Sequence, residues 1–231
     1  MGDVPPTHPR YASLMARKLL TDAASEGMLA ESALIAHGRG EAFDYLLGER
    51  TCDAARKAIA EVASKLLSAE RPTISVNGNT VALAGPQLLA CAAVLNCPVE
   101  VNIYYRTPER MEALLSALEL QREEATALYP ELSQQIAVVP ILGASPDGRI
   151  PNLDGPRANC HSDGILSADV VLVPLEDGDR CEALVDMGKT VCAVDLNPLS
   201  RTARKATVTV VDELTRCLPL LIDDLMDETR I

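Results

Sequence analysis

From Pro72 onward the chain alternates short β-branched, apolar runs with longer helical patterns, and this alternation constrains the fold more than any other feature. The runs lie at 73–76, 99–103, 136–139, 170–173, 191–194 and 208–211, and helical spacing falls at 81–95, 108–128, 182–187 and 213–226. Short apolar runs without polar alternation suit strands covered on both faces, and strands separated by helices build βαβ units. The expected fold is α/β and Rossmann-like, a mostly parallel sheet with helices on both faces. Residues 1–70 are helical in pattern, with helices expected at 11–24, 30–47 and 53–69. Gly38 and Gly40 are expected to break the second helix, and Thr51 to cap the third. We read 1–231 as a single domain in which this helical part packs on a Rossmann-like core spanning 72–231. Residues 142–167 are rich in Gly, Pro, Asp and Asn and lack periodicity, so a long, functional loop over the domain is expected there.

Composition narrows the function classes. With 231 residues and 48% hydrophobic content, the chain can bury a sizeable core and is not intrinsically disordered. A net charge of -12, no Trp and one Phe argue against nucleic acid and anionic membranes as partners. The uncharged stretch 72–99 is interrupted by Asn77-Gly78-Asn79, Gly85-Pro86-Gln87 and Asn96-Cys97-Pro98, and so reads as strand, turn and buried helix, with no membrane span. The opening MGDVPPTHPR has no apolar signal-peptide core. Seven scattered cysteines without a CxxC pair suit a reducing cytosol better than a disulfide framework or a zinc site, and a cytoplasmic location is expected.

In open parallel sheets, ligands bind beyond the carboxyl ends of the strands. Polar residues crowd those positions here. Asn77-Gly78-Asn79-Thr80 is either an ordinary helix cap or an anion seat at a helix N-terminus. Glu176-Asp177-Gly178-Asp179-Arg180 is either a solvated acidic turn or a Mg²⁺ site, with Asp177 and Asp179 as metal ligands. Asp195-Leu196-Asn197 followed by Arg201-Thr202 is either a surface loop or a ribose and phosphate contact. His37-Gly38-Arg39-Gly40-Glu41 is either a helix corner or a phosphate-gripping segment. No GxxxxGK[ST] motif is present, which excludes a P-loop kinase. Arginine supplies 16 of the 21 basic residues, and Arg10, Arg17, Arg39, Arg106, Arg180 and Arg201 form the candidate anion pocket. His8 and His161 read as surface or loop residues.

Several of these segments occur together and in order: His8-Pro9-Arg10-Tyr11, the stretch from Ala36 to Tyr45, Ser75-Val76-Asn77-Gly78-Asn79, Pro174 to Arg180, and Asp195 to Arg201. In this the chain closely resembles the archaeal 4-phosphopantoate–β-alanine ligases, also called phosphopantothenate synthetases, over nearly its whole length. The resemblance implies an ATP-dependent homodimer that needs Mg²⁺ and serves coenzyme A biosynthesis. It would join 4-phosphopantoate to β-alanine and release AMP and pyrophosphate through an acyl adenylate. It implies ATP contacts at Arg17, Arg39, Asp195, Leu196, Asn197, Arg201, Thr202, Glu213 and Leu214. On chemical grounds we assign catalytic roles to Arg39, Asp177, Asp179 and Arg180, and substrate binding to His37, Asn77, Gly78, Asn79 and Arg106. Two other readings stay open: a nucleotide-dependent phosphotransferase acting on a small acid, and a non-catalytic nucleotide sensor.

Overall fold

The computed structural model describes residues 4–227. Three helices, α1 (Tyr11–Ser25), α2 (Glu31–Leu46) and α3 (Asp53–Leu67), precede β1 (Pro72–Val76). There follow α4 (Gly78–Leu95), β2 (Val99–Val101), α5 (Pro108–Leu128), α6 (Ser133–Val138), β3 (Ile141–Leu142), β4 (Gly148–Arg149) and β5 (Asn159–Cys160). The second half is β6 (Val170–Pro174), α7 (Gly178–Asp186), β7 (Thr190–Val194), α8 (Arg201–Lys205), β8 (Val208–Val210) and α9 (Leu214–Met226). The main sheet has six strands in the order β3-β2-β1-β6-β7-β8. Every pairing in it is parallel, with Ile74 opposite Val99 on one side and Leu172 on the other. The order grows outward in both directions from β1 and β6, which is the Rossmann arrangement expected from the alternation.

Period-two packing divides the core. Val170, Leu172, Cys192 and Val194 face one layer, where they join residues of α3, α4 and α9 such as Val62, Leu88 and Leu218. Val171, Val173, Val191 and Ala193 face the other, against Cys181 and Leu184 of α7. α4 has the length and apolarity of a membrane span, but 72% of that window is buried inside the fold.

The structure corrects several expectations. Residues 136–139 do not form a strand. Ile136 is fully buried in α6, and Pro140 ends the helix. The Pro140 carbonyl accepts the Val99 N–H at 2.9 Å, so the strand begins one residue later at Ile141. Arg122 of α5 donates to the Ile136 and Val139 carbonyls at the end of α6 (2.6 and 2.7 Å), a long-range cap that no local pattern reveals. α2 runs unbroken through Gly38 and Gly40, and Gly40 packs where a Cβ would lie 2.9 Å from Leu196. Cys52, not Thr51, is the N-cap of α3, and the Thr51 hydroxyl instead donates to Asp212 at 2.5 Å. The 142–167 segment contains the β4–β5 ribbon and places Ile150, Cys160 and Ile165 in the second core layer.

Candidate functional site

β1 and β6 lie side by side while the chain leaves them toward opposite sheet edges, so a crevice opens beyond their carboxyl ends. A cavity of about 550 Å³ occupies it. Its floor is made by the strand-end turns after β1, β6 and β7, and its wall by α2 and the 28–30 connection. Asn77 caps α4 through a reciprocal box with Thr80, accepting the Thr80 N–H at 3.2 Å while the Thr80 hydroxyl accepts the Asn77 N–H at 2.8 Å. The Asn77 amide also donates to the Leu175 carbonyl at 2.9 Å, tying the two strand ends together. Gly78 is required here, since a Cβ would lie 2.5 Å from the Met28 carbonyl. Asn79 donates to the Ala33 carbonyl at 3.4 Å and steadies α2.

On the opposite side Asp177 caps α7 by accepting the Asp179 N–H at 2.9 Å. The N-termini of α4 and α7 therefore both open on the cavity, where helix dipoles favour anions. Asp195 accepts from the Ser200 hydroxyl (2.5 Å) and the Asn197 N–H (2.9 Å), and burial pushes its carboxyl up. Thr202 donates to the Glu176 carbonyl at 2.7 Å and joins the β7 turn to the β6 turn. α2 is held by the Asp44–Arg216 pair at 2.5 Å, with a buried carboxylate. Arg39 lines the cavity from α2 and makes no ion pair or hydrogen bond among the described residues. A cation without a protein counter-ion beside two helix N-termini suits an anionic ligand.

The cavity thus brings together His37, Arg39, Asn77, Gly78, Asn79, Asp177, Asp195, Leu196, Asn197, Arg201 and Thr202. The remaining sequence candidates lie elsewhere. Arg106 donates to the Gly143 carbonyl and does not line the cavity. Arg180 is fully buried beneath it, pairing with Glu176 and donating to Ser75. Asp179 is exposed and paired with Arg201. Arg17 pairs with Glu41 at 2.8 Å. Leu214 is a core residue. Glu213 caps α9 and lines a separate cavity of about 90 Å³, which shares only His37 and Leu196 with the larger one. Burial pushes the Glu213 carboxyl up and the His37 imidazole down, and Glu213 Oε1 and His37 Nδ1 are buried without partners. Sequence reasoning missed Arg110 and Arg157 as lining residues. Arg157 comes from the 142–167 segment, whose composition was its only signal.

The family model of phosphopantothenate/pantothenate synthetases matches residues 54–230. The chain belongs to this family. It is 48% identical over 223 residues to the 4-phosphopantoate–β-alanine ligase of Thermococcus kodakarensis, covering 96% of this chain and 80% of that protein. To the enzyme of the same name from Methanospirillum hungatei it is 47% identical over 215 residues, covering 93% of this chain and 82% of that protein. To that of Methanosarcina mazei it is 44% identical over 218 residues, covering 94% and 80%. The matched model region begins after α2, the helix that supplies the cavity wall.

For a synthetase of this family, the donor set fits a divalent cation carried mainly by nucleotide phosphates. Asp177 lines the cavity and commits one carboxylate oxygen to the Asp179 N–H. Among the described residues no three His, Cys, Asp or Glu side chains converge as a metal cage. Mg²⁺ commonly takes one or two carboxylates and completes its shell with phosphate and water.

Proposed function

We propose that this chain joins 4-phosphopantoate to β-alanine with consumption of ATP, giving 4'-phosphopantothenate, AMP and pyrophosphate. The observation that carries the reading is the near full-length relationship to proteins so named, at 44% to 48% identity. In the first step a carboxylate oxygen of 4-phosphopantoate attacks the α-phosphorus of ATP, and the bond to pyrophosphate breaks. In the second, the neutral amine of β-alanine attacks the acyl carbon, the bond to AMP breaks, and the amine loses a proton.

The cavity supports both steps. Arg39 offers an unpaired guanidinium for charge that builds on the transferred phosphoryl group. The α4 N-terminus with Asn77 and Asn79 suits the acid substrate, and Asp195, Asn197, Arg201 and Thr202 suit ribose and phosphates. Asp177 would hold Mg²⁺, which when bound neutralises triphosphate charge, while Asp179 is taken up by its pair with Arg201. The same acidic turn would orient the amine for attack. We further propose a cytoplasmic location and a homodimer, the dimer supported by α2, whose Ile35 (69%) and Leu46 (79%) stand exposed.

Incubation with ATP, Mg²⁺, 4-phosphopantoate and β-alanine tests the reading. AMP and pyrophosphate formed only when both acids are present are the expected products. ADP would indicate a phosphotransferase instead, and nucleotide binding without turnover a sensor. Light scattering on the purified protein tests the dimer, and a monomer mass would overturn it.

A further inference from the structure

A chain of polar contacts runs from β1 to the cavity wall. Ser75 Oγ accepts from Arg180 Nη2 at 2.9 Å, Arg180 Nη1 pairs with one oxygen of Glu176, and Arg157 Nη1 pairs with the other. The Arg180 and Glu176 side chains are 0% and 2% exposed, while Arg157 is 16% exposed and lines the cavity. Two guanidinium groups share the Glu176 carboxylate, and of the two only Arg157 borders the cavity.

The Arg157 fork is only partly used. Glu176 holds Nη1, Nη2 makes no hydrogen bond among the described residues, and Nε is buried with no partner. Nε itself is out of reach of the cavity, so Nη2 is the end of the guanidinium left to donate to a phosphate oxygen.

Resting on the ligase reading above, we propose that Arg157 is a specificity-determining residue that seats the phosphate monoester of the acid substrate. Its position separates that group from the nucleotide. The Arg157 carbonyl accepts from the Asn102 amide at 3.1 Å, so the residue is fastened just past β2. The ribose and phosphate candidates Asp195, Asn197 and Thr202 instead follow β7. Met28, Leu29 and Ile103 also line the cavity and suit the dimethyl carbon of pantoate. Pantoate without its phosphate leaves Arg157 Nη2 unpaired, and a site that loses such a partner discriminates strongly.

Calorimetry of 4-phosphopantoate and of pantoate in the absence of ATP, together with KM for each substrate, tests this on wild type, Arg157→Gln and Arg157→Lys. Arg157→Gln is expected to weaken 4-phosphopantoate binding by roughly 10- to 100-fold, with pantoate little changed and KM for ATP within about twofold. Lys restores charge but not the fork, so rescue is expected to be partial. Equal weakening of both acids, a rise confined to KM for ATP, or unchanged affinities in a folded variant would overturn the assignment. If Arg157→Gln does not fold, Arg157→Lys decides by the same criteria. A wild type that neither binds nor converts 4-phosphopantoate would refute the ligase reading itself, a failure distinct from that of Arg157.

Discussion

Asn77 and Leu175 are joined across the switch point of the sheet: the Asn77 side-chain amide donates to the Leu175 carbonyl at 2.9 Å, while Leu175 holds φ at 52°. Left-handed backbone in a non-glycine residue costs roughly 1–2 kcal/mol. The Asn77 bond opposes that cost at the point where the β6 turn must bend toward the cavity.

Asn77→Ala removes both the α4 cap and this bond. The expected loss is about 1–2 kcal/mol of stability, read from the denaturant midpoint. A fall in kcat/KM beyond what unfolding explains is also expected, because the β6 turn loses its tether. An unchanged midpoint would show that neither contact matters energetically.

Arg39→Ala separates function from fold. Arg39 is exposed and has no protein partner among the described residues, so its removal should leave thermal stability near wild type. If it stabilises phosphoryl charge, kcat should fall by about 10²- to 10³-fold. Near wild-type turnover would demote Arg39 to a surface residue.

Gly78→Ala adds a single methyl group that would sit 2.5 Å from the Met28 carbonyl. The 28–30 connection must then move, at a cost of about 1–3 kcal/mol. Since that connection lines the cavity, KM for the acid substrate should rise together with the loss of stability. A crystal structure with the connection in place would contradict the packing argument.

His37 supplies a pH test. Burial holds its imidazole below the ordinary value of 6.5, so the folded protein takes up its proton at lower pH than the unfolded chain does. Stability from the neutral form is full above pH 6.5 and is lost as pH falls through the lowered folded value. His37→Gln should therefore flatten the drop in stability between about pH 7 and about pH 5. Parallel curves for the two proteins would show that His37 titrates as it does in the unfolded chain.

Much of the fold was legible because strands buried on both faces leave apolar runs that few other structures produce. The four-residue run 136–139 misled because β-branched residues and a buried helical turn share one local pattern, and Pro140 decides between them only through its contact with Val99. Most of the strand-end residues named from sequence line the cavity, since position after an apolar strand is a sequence property. Arg180 and Arg106 were equally plausible by position, yet one is buried on Glu176 and the other bonds Gly143. Arg157 carried no signal of its own, because its partner Glu176 is nineteen residues away across an irregular segment.

The sequence by itself determined the parallel sheet, the strand ends that floor the cavity and the family relationship, all of which rest on local hydrophobic pattern or on residues kept in order along the chain. Only the tertiary structure decided which arginines are available. Arg39 is left unpaired, Arg180 is consumed by the interior, and Arg157 is held at the cavity with its fork partly open. The physical reason is that a guanidinium's role is set by whichever carboxylate or carbonyl folding brings within hydrogen-bond reach, and that distance is not written in the neighbouring residues.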